Sequence, residues 1–333
     1  MVTDTRSRPL RDLRISVTDR CSFRCGYCMP REIYDDHEYL DRSSILSYGE
    51  IRRITRIATD LGVRKVRLTG GEPLLRTKVH RLVAMLSDLD EVEDLAMTTN
   101  ALLLARKAER LLEAGLDRVT VSLDALDDEL FRKMVDTDVP VGTVLDAIDI
   151  ASDIGLAPIK INTVVRRGWN EGEVVPLIDR FRGTGHTVRF IEFMDVGTTN
   201  SWNLDEVVPS AELVEVISKK WDIEPVDASY LGEVASRYEF KDGAGEVGFI
   251  SSVSAPFCGD CTRLRLSAEG KLYTCLFGSD GSDLLTPLRS DASDETIRDL
   301  IRETWNARED RYSELRGGTP IDTPKVEMSY IGG

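Results

Sequence analysis

Six cysteines form two groups of three in this sequence, and no cysteine lies outside them. The first group has the spacing CxxxCxxC, and the second has CxxC followed by thirteen residues and a third cysteine. The groups are Cys21, Cys25 and Cys28, and Cys258, Cys261 and Cys275. Three thiolates at such spacing can bind a small iron–sulfur cluster. Because a [4Fe–4S] cluster has four irons, three protein ligands leave one iron open to a small molecule.

Zinc and disulfides are the competing interpretations of these cysteines. A structural zinc site has four protein ligands, so each group lacks one, and the only histidines are His37, His80 and His186. For the second group, an Asp, a His or solvent could complete a zinc ribbon. Disulfide frameworks are typical of small secreted domains, whereas this chain has 333 residues and the polar start MVTDTRSRPLRD. We favour clusters for both groups and keep zinc as the alternative.

The composition excludes several classes of partner. The chain is 41% hydrophobic and 30% charged, as expected for a globular protein, and no apolar run approaches the length of a membrane helix. Its net charge of −15 repels nucleic acid and anionic lipid. We therefore expect a cytoplasmic location, no nucleic acid partner and no membrane association.

A few basic residues stand out against this acidic background. Arg263 and Arg265 follow Cys261 at alternate positions, so on a strand they project from one face. Two guanidinium groups beside a cluster suit an anion, although a solvated strand face is the alternative. Further basic residues near strand ends are Arg14, Arg67 and Lys160.

The elements that position these residues alternate between strands and helices from 45 to 220. Ser47 to Glu50 reads as a capping box, and VRKVRLTGG reads as the strand that follows its helix. Later helices are predicted around 76–90, 102–115, 127–135, 142–154, 172–184 and 293–305. Repeated βα units require parallel strands, in an open sheet or in a complete or partial barrel. From 221 the runs are shorter and β-like, so we predict two domains, 1–220 and 221–333.

Extended motifs resemble the radical S-adenosylmethionine (SAM) superfamily. We place CxxxCxxC before the first βα unit, and Gly70, Gly71, Glu72 and Pro73 follow the next strand. Within the superfamily, the chain resembles the GTP 3′,8-cyclases of molybdenum cofactor biosynthesis from about Leu10 to Gly333. The matching stretches are DLRISVTDRCSFRCGYCMP, RLTGGEPLLR, VSLDAL, KINTVV, FIEFMDVG, SSVSAPFCGDCTRLRL and IGG.

The resemblance implies an α/β fold: a partial (βα)6 TIM-like barrel of the radical SAM type, with a C-terminal β-rich cap carrying a second Fe–S cluster. It implies two [4Fe–4S] clusters and SAM as cofactors. The 5′-deoxyadenosyl radical would abstract the ribose 3′ hydrogen of GTP, and C3′ would bond to C8. The product would be (8S)-3′,8-cyclo-7,8-dihydroguanosine 5′-triphosphate, in the first step of molybdenum cofactor biosynthesis.

The resemblance also implies residue roles, carried over by position. Cys21, Cys25 and Cys28 would hold the SAM cluster, and Cys258, Cys261 and Cys275 the substrate cluster. SAM would contact Tyr27, Gly71, Ser122 and Met194. GTP would contact Arg14, Arg67, Thr98, Lys160, Arg263, Leu264 and Arg265. Catalytic roles would fall to Arg263, Arg265, Gly332 and Gly333. For the two glycines, a disordered tail is the alternative.

Two positions depart from the family pattern, Ala101 where glycine is common and Thr262 where asparagine is common. The implied partners are GTP, a reductant protein such as a flavodoxin or ferredoxin, and a downstream cyclic pyranopterin monophosphate synthase, with a homodimer left open. Two other functions remain as alternatives. One is a radical SAM enzyme with a peptide or other substrate, and the other is a non-catalytic iron–sulfur electron carrier or iron sensor.

Overall fold

The structure, a computed structural model, describes residues 1–316 and 325–332. Its strands are β1 (Asp12–Ser16), β2 (Lys65–Thr69), β3 (Asp94–Thr99), β4 (Arg118–Ser122), β5 (Lys160–Val165), β6 (Thr187–Glu192), β7 (Ile223–Val226), β8 (Ser236–Phe240), β9 (Glu246–Ile250), β10 (Arg263–Leu266), β11 (Lys271–Tyr273) and β12 (Ser282–Asp283). Its helices are α1 (Arg31–Tyr34), α2 (Tyr48–Leu61), α3 (Val79–Ser87), α4 (Ala108–Glu113), α5 (Asp128–Val135), α6 (Val141–Asp153), α7 (Val174–Phe181), α8 (Ser210–Ser218), α9 (Leu285–Arg289), α10 (Asp294–Asn306), α11 (Tyr312–Leu315) and α12 (Met328–Ile331).

These strands form one sheet in the order β12-β11-β10-β1-β2-β3-β4-β5-β6-β9-β8-β7. Strands β1 to β6 are parallel neighbours in chain order, and the crossovers between them contain helices. β10 adds to β1 and β9 adds to β6, both in parallel. Among the described residues the two end strands do not pair with each other, so the sheet does not close. The prediction of a partial (βα)6 barrel is confirmed.

The capping box predicted at the start of the first long helix is present in α2. The Ser47 hydroxyl accepts from the amide of Glu50 at 3.2 Å, and the Glu50 carboxylate accepts from the amide of Ser47 at 2.6 Å. The helix ends at Gly62, whose φ of 121° favours glycine. One face of α2 is buried in the core through Ile51, Ile54, Ile57, Ala58 and Leu61.

The first cysteine loop lies after the first strand of the barrel, not before it. Cys21 to Cys28 follow β1, which pairs with β2 along its whole length. The placement of CxxxCxxC ahead of the first βα unit is therefore wrong. The sequence hid this strand because its crossover, residues 17–47, contains only the four-residue helix α1 before α2 begins.

Alternation along the central strands separates an apolar core from a polar interior. On β1, Leu13 and Ile15 belong to the core cluster, whereas Arg14 lines an inner cavity. On β2, Val66 and Leu68 belong to the core, and Arg67 lines the same cavity. The helices thus cover the apolar side of the sheet, and the polar side remains available for a ligand.

The C-terminal part of the chain contributes strands to both edges of this sheet. β7, β8 and β9 extend the edge at β6, while β10, β11 and β12 extend the edge at β1. The prediction of separate domains at 1–220 and 221–333 stays a prediction. Helix α10 packs against α2, and among the described helices none combines the length and the apolar character that a membrane span requires.

Candidate active site

The loop with the first three cysteines rests directly on the glycine turn after β2. The amide of Gly71 donates to the carbonyl of Thr18 at 2.8 Å, and the amide of Glu72 donates to the carbonyl of Arg20 at 2.8 Å. A Cβ atom on Gly71 would overlap the carbonyl of Arg20. Glycine is therefore required here because two backbone segments approach more closely than a side chain permits.

A buried carboxylate joins the glycine turn to the next loop. Glu72 accepts from the Thr99 hydroxyl at 2.8 Å and from the amide of Asn100 at 2.7 Å, and burial raises its pKa to about 7. The Asn100 side chain donates to the Ser22 hydroxyl at 3.0 Å, and its Nδ2 lies 3.8 Å from Sγ of Cys21. Two loops at the carboxyl ends of neighbouring strands, the glycine turn after β2 and the loop after β3, thus meet at the first cysteine loop.

The first three thiols fit an iron–sulfur cluster. All three are free and partly buried; Cys21 and Cys28 raise the pKa of Cys25, and Cys21 raises that of Cys28. Burial raises the pKa of Cys21 to about 11 and also raises the pKa values of Cys25 and Cys28. Such thiols ionise when a cationic group binds them. Within 1–316 and 325–332, no three Cys, His, Asp or Glu side chains lie close enough together to hold a single metal ion.

The second cysteine loop has a different electrostatic environment. The Arg263 guanidinium donates to Sγ of Cys261, with nitrogen–sulfur distances of 3.2 and 3.4 Å. Burial alone would raise the pKa of Cys261, but Arg263 and Arg308 outweigh burial and lower it to about 6. Burial raises the pKa of Cys275 to about 11. One preformed thiolate and two further free thiols suit a second cluster.

A cavity on the polar side of the sheet contains the second cysteine group. It encloses about 1500 Å³, including space open to solvent. Its cationic lining residues are Arg14, Lys65, Arg67, Arg118, Arg189, Arg263, Arg265 and Arg308. Its acidic lining residues are Asp12, Asp94 and Asp310. A cationic cavity inside a chain of net charge −15 suits an anion.

Strand register explains the density of positive charge. Arg14 pairs laterally with Arg265 on one side and with Arg67 on the other, so three guanidinium groups share one row. Burial and the repulsion from Arg265, Arg263 and Arg67 lower the pKa of Arg14 well below its ordinary value. Burial and the repulsion from Arg263 lower the pKa of Arg265 to about 10, and burial with Arg67 and Arg118 lowers the pKa of Arg189 to about 9. A polyanion would relieve the repulsion.

Most of the residues predicted to contact GTP lie at this cavity. Those among its lining are Arg14, Arg67, Thr98, Arg263 and Arg265. Lys160 is not part of the lining, but its pKa falls to about 8 through burial and through Arg189, Arg118 and Arg67. The Leu264 side chain is fully buried in the apolar core, so only its backbone is available to a ligand.

The predicted SAM contacts occupy two places. Met194 lines the cavity, whereas Tyr27 lies in the first cysteine loop and donates to Asp124 at 2.7 Å. Ser122 ends β4, beside the loop that contains Asp124, and Gly71 supports the first cysteine loop. Tyr27 and Gly71 therefore lie at the first cysteine loop, whereas Met194 lies at the cavity that contains the second cysteine group.

The end of the chain enters the interior. The carbonyl of Gly332 accepts a hydrogen bond from Arg265, and Ile331 is fully buried. Gly332 has a φ of 76°, and a Cβ atom there would overlap the hydroxyl of Thr69. The alternative of a disordered tail is wrong for 325–332. Gly333 lies outside the described residues.

The two departures from the family pattern have local explanations. Ala101 has a φ of 63°, in the left-handed region that favours glycine, so the usual glycine has a backbone reason. The hydroxyl of Thr262 donates to the carboxylate of Asp12 and so ties the second cysteine loop to β1. Neither departure removes a thiol or a cation from the site.

Sequence reasoning missed Lys65, Arg118, Arg189 and Arg308 as members of the cation cluster. Arg118 and Arg189 alternate with apolar residues on β4 and β6, which was the available signal. Arg189 donates to the side chain of Asn162 at 3.0 Å across neighbouring strands. Arg308 follows α10, and no local pattern links it to a loop so far away in sequence.

Comparison with protein families agrees with this site. The family model described as "Radical SAM superfamily" matches residues 15–181, and "Molybdenum Cofactor Synthesis C" matches 186–314. A GTP 3′,8-cyclase of Acidothermus cellulolyticus is 51% identical over all of this chain and 99% of its own length. This chain belongs to the GTP 3′,8-cyclase family. Members from Xanthomonas axonopodis pv. citri and Staphylococcus haemolyticus are 52% and 45% identical, with at least 98% of each chain covered.

Solved structures agree on the fold. Streptococcus suis SuiB bound to S-adenosylmethionine superposes with a TM-score of 0.60 at 18% identity, over 88% of this chain and 68% of that one. Methylornithine synthase, at 16% identity, gives a TM-score of 0.50 over 63% and 62%. This chain is a radical SAM enzyme, with SAM and [4Fe–4S] clusters as its cofactors. The electron carrier alternative is wrong.

Proposed function

We propose that this chain converts GTP into (8S)-3′,8-cyclo-7,8-dihydroguanosine 5′-triphosphate, the first step of molybdenum cofactor biosynthesis. The observation that carries the proposal is the cationic cavity, because it contains the second cysteine group as well. A triphosphate carries several negative charges, and buried guanidinium groups bind phosphate oxygens in a fixed geometry. A peptide substrate has no comparable need for a cavity in which eight cations face three carboxylates, so this cavity favours the nucleotide.

At the first site, Cys21, Cys25 and Cys28 would hold the cluster that binds SAM. When bound and reduced, this cluster supplies the electron that cleaves SAM and so provides a carbon radical. Tyr27, fixed by its hydrogen bond to Asp124, would orient SAM. Gly71, Ser122 and Met194 would complete the contacts. The protein's part is to orient the reactants and to exclude water.

At the second site, Cys258, Cys261 and Cys275 would hold the cluster that meets the guanine base. The triphosphate and ribose would lie among Arg14, Arg67, Thr98, Lys160, Arg263, Arg265 and the backbone of Leu264. This arrangement would direct the ribose toward Met194, a proposed SAM contact in the cavity lining. Holding the two reactants in a fixed relation contributes a large part of the rate.

Arg263, Arg265, Gly332 and Gly333 are the proposed catalytic group. Arg265 donates to the carbonyl of Gly332, so the tail approaches the cations without adding a side chain. We also propose that a flavodoxin or ferredoxin reduces the enzyme and that a cyclic pyranopterin monophosphate synthase takes its product. The same proposal includes residence in the cytoplasm, two domains at 1–220 and 221–333, and neither nucleic acid nor membrane as partner.

The test is anaerobic reconstitution followed by turnover with SAM and a reductant. We expect 5′-deoxyadenosine to form in a GTP-dependent manner. With GTP deuterated at C3′, the label should move into 5′-deoxyadenosine. A Cys25→Ser variant serves as the control and should lose SAM cleavage. The proposal is contradicted if the label stays in the nucleotide and 5′-deoxyadenosine forms equally with and without GTP.

A further inference from the structure

Two buried arginines hold the backbone of the second cysteine loop from behind. NH1 of Arg8 donates to the carbonyl of Cys258 at 2.8 Å, and NH1 of Arg308 donates to the carbonyl of Cys261 at 2.6 Å. Arg8 is 250 residues from Cys258 in sequence, and Arg308 is 47 residues from Cys261. Two distant segments therefore meet at a loop that contains two of the three second-site thiols.

Asp4 joins the two arginines. Its Oδ2 accepts from Nε of Arg8 at 2.6 Å and lies 3.4 Å from NH1 of Arg308. The side chain of Asp4 is fully buried, and those of Arg8 and Arg308 are 2% exposed. Buried guanidinium groups this close together need a shared counterion, because water does not separate their charges. We name Asp4, Arg8 and Arg308 the second-site clamp.

The second-site clamp also reaches the third thiol. NH1 of Arg8 donates to the carbonyl of Asp310 at 2.7 Å. The carboxylate of Asp310 in turn accepts from the hydroxyl of Thr274 at 2.5 Å, next to Cys275. One buried network thus connects the backbones near all three cysteines of the second group.

The surroundings fix the second-site clamp itself. Nε1 of Trp305 donates to the carbonyl of Arg8 at 3.1 Å, and the Arg308 guanidinium lies 4.6 Å from the centre of the Trp305 ring. The hydroxyl of Thr5 donates to the carbonyl of Arg308 at 2.7 Å. A planar guanidinium held on several sides presents its donors in one direction. The carbonyls it binds are therefore fixed as well.

We propose that Asp4, Arg8 and Arg308 are positioning residues for the second cluster: the second-site clamp gives the loop the shape in which its thiols can ligate together. The inference rests on the proposed function in taking a cluster as the group held there. The first cysteine loop uses other supports, the glycine turn and Asn100, so loss of the second-site clamp acts on one site only. Three thiols ligate one cluster only when all three are in place.

The experiment uses the chain with Cys21, Cys25 and Cys28 all changed to Ala, so that bound iron belongs to the second site. In this parent we expect about four irons per chain after anaerobic reconstitution. Asp4→Asn should bind less than half of that amount. Arg308→Lys, which keeps one charged donor, should retain iron but change the EPR spectrum of the reduced cluster. The matched control is Asp195→Asn, because Asp195 is equally buried between two cations and contacts no cysteine.

Full iron content and an unchanged EPR spectrum in both second-site clamp variants would overturn the proposal. Loss of circular dichroism in both variants would overturn it too, because the network would then support the whole fold. The proposal would also be overturned if Asp195→Asn lost as much iron as Asp4→Asn. GTP-dependent SAM cleavage by the unmodified chain tests the proposed function separately, since none of these iron measurements involves turnover.

Discussion

Arg263 donates two hydrogen bonds to Sγ of Cys261, its neighbour two positions earlier on the chain. This arginine also lines the cationic cavity, so one side chain contacts a thiol and faces the substrate space. Arg265 lines the same cavity but contacts the carbonyl of Gly332 instead of a sulfur. The two arginines look equivalent in the sequence, but they support different parts of the site.

Substitution of these arginines should separate substrate binding from cluster retention. Arg265→Ala should weaken GTP binding by about 1.5 to 3 kcal/mol, the contribution of a charge-assisted hydrogen bond, with iron content unchanged. Arg263→Ala should weaken GTP binding by a similar amount and also reduce second-site iron, because Cys261 loses its cationic partner. Calorimetry with GTP and iron analysis on the same samples measure both effects. Equal iron content in the two variants would contradict the distinction.

The lowered pKa of Lys160 predicts that GTP binding depends on pH. Burial and nearby arginines lower this pKa to about 8, so the free enzyme loses the proton from Lys160 above that pH. The triphosphate favours the charged amine, so Lys160 keeps its proton in the enzyme with GTP bound. Affinity should therefore fall by up to about tenfold per pH unit above pH 8, and binding there should take up a proton.

Calorimetry at pH 8.5 in two buffers of different ionisation enthalpy measures this proton uptake. Lys160→Met should abolish it and weaken binding at pH 7. Lys220→Met is the control, because Lys220 is half exposed and pairs with Asp179 on the surface. In the unfolded chain the ordinary lysine pKa of about 10.4 returns, so Lys160 makes stability rise with pH between about 8 and 10.4. Identical proton uptake by wild type and Lys160→Met would refute the assignment.

The sequence predicts the repeated βα units well and the contacts between distant segments poorly. Strands β2 to β6 and helix α2 follow from alternation and capping, which are local. α4 begins at Ala108, later than the predicted 102, because residues 101–107 form turns after Ala101 adopts a positive φ. Arg8 and Arg308 carry no motif, and only folding brings them to the second cysteine loop.

The close approach at Gly71 predicts a selective loss of the first cluster. In Gly71→Ala, the new methyl group would overlap the carbonyl of Arg20, so the first cysteine loop must move. We expect iron to fall from about eight to about four per chain, with SAM cleavage lost. Gly142→Ala in α6 is the control, because no atom lies within 4 Å of the added Cβ. A Gly71→Ala enzyme with full iron and normal SAM cleavage would contradict the close approach.

A buried carboxylate, Asp195, holds the chain near its C-terminal end. Asp195 follows Met194, and its carboxylate lies 2.8 Å from both Nε of Arg316 and Nζ of Lys325. These two cations stand on either side of 317–324, so one buried carboxylate fixes the chain before and after that segment. Neutralising such a buried carboxylate lowers the free energy of unfolding by about 3 to 5 kcal/mol, because the two cations then lack a charged partner. The segment leading to Gly332 should loosen as a result.

We therefore expect Asp195→Asn to increase amide hydrogen exchange in residues 325–332 and to lower the rate of GTP-dependent product formation at least tenfold. Iron content should stay unchanged, because Asp195 contacts no cysteine. Asp149→Asn is the control, since Asp149 forms a half-exposed surface pair with Arg180. If the reaction slows while amide exchange in 325–332 matches wild type, then Asp195 acts on SAM through Met194 and not through the tail.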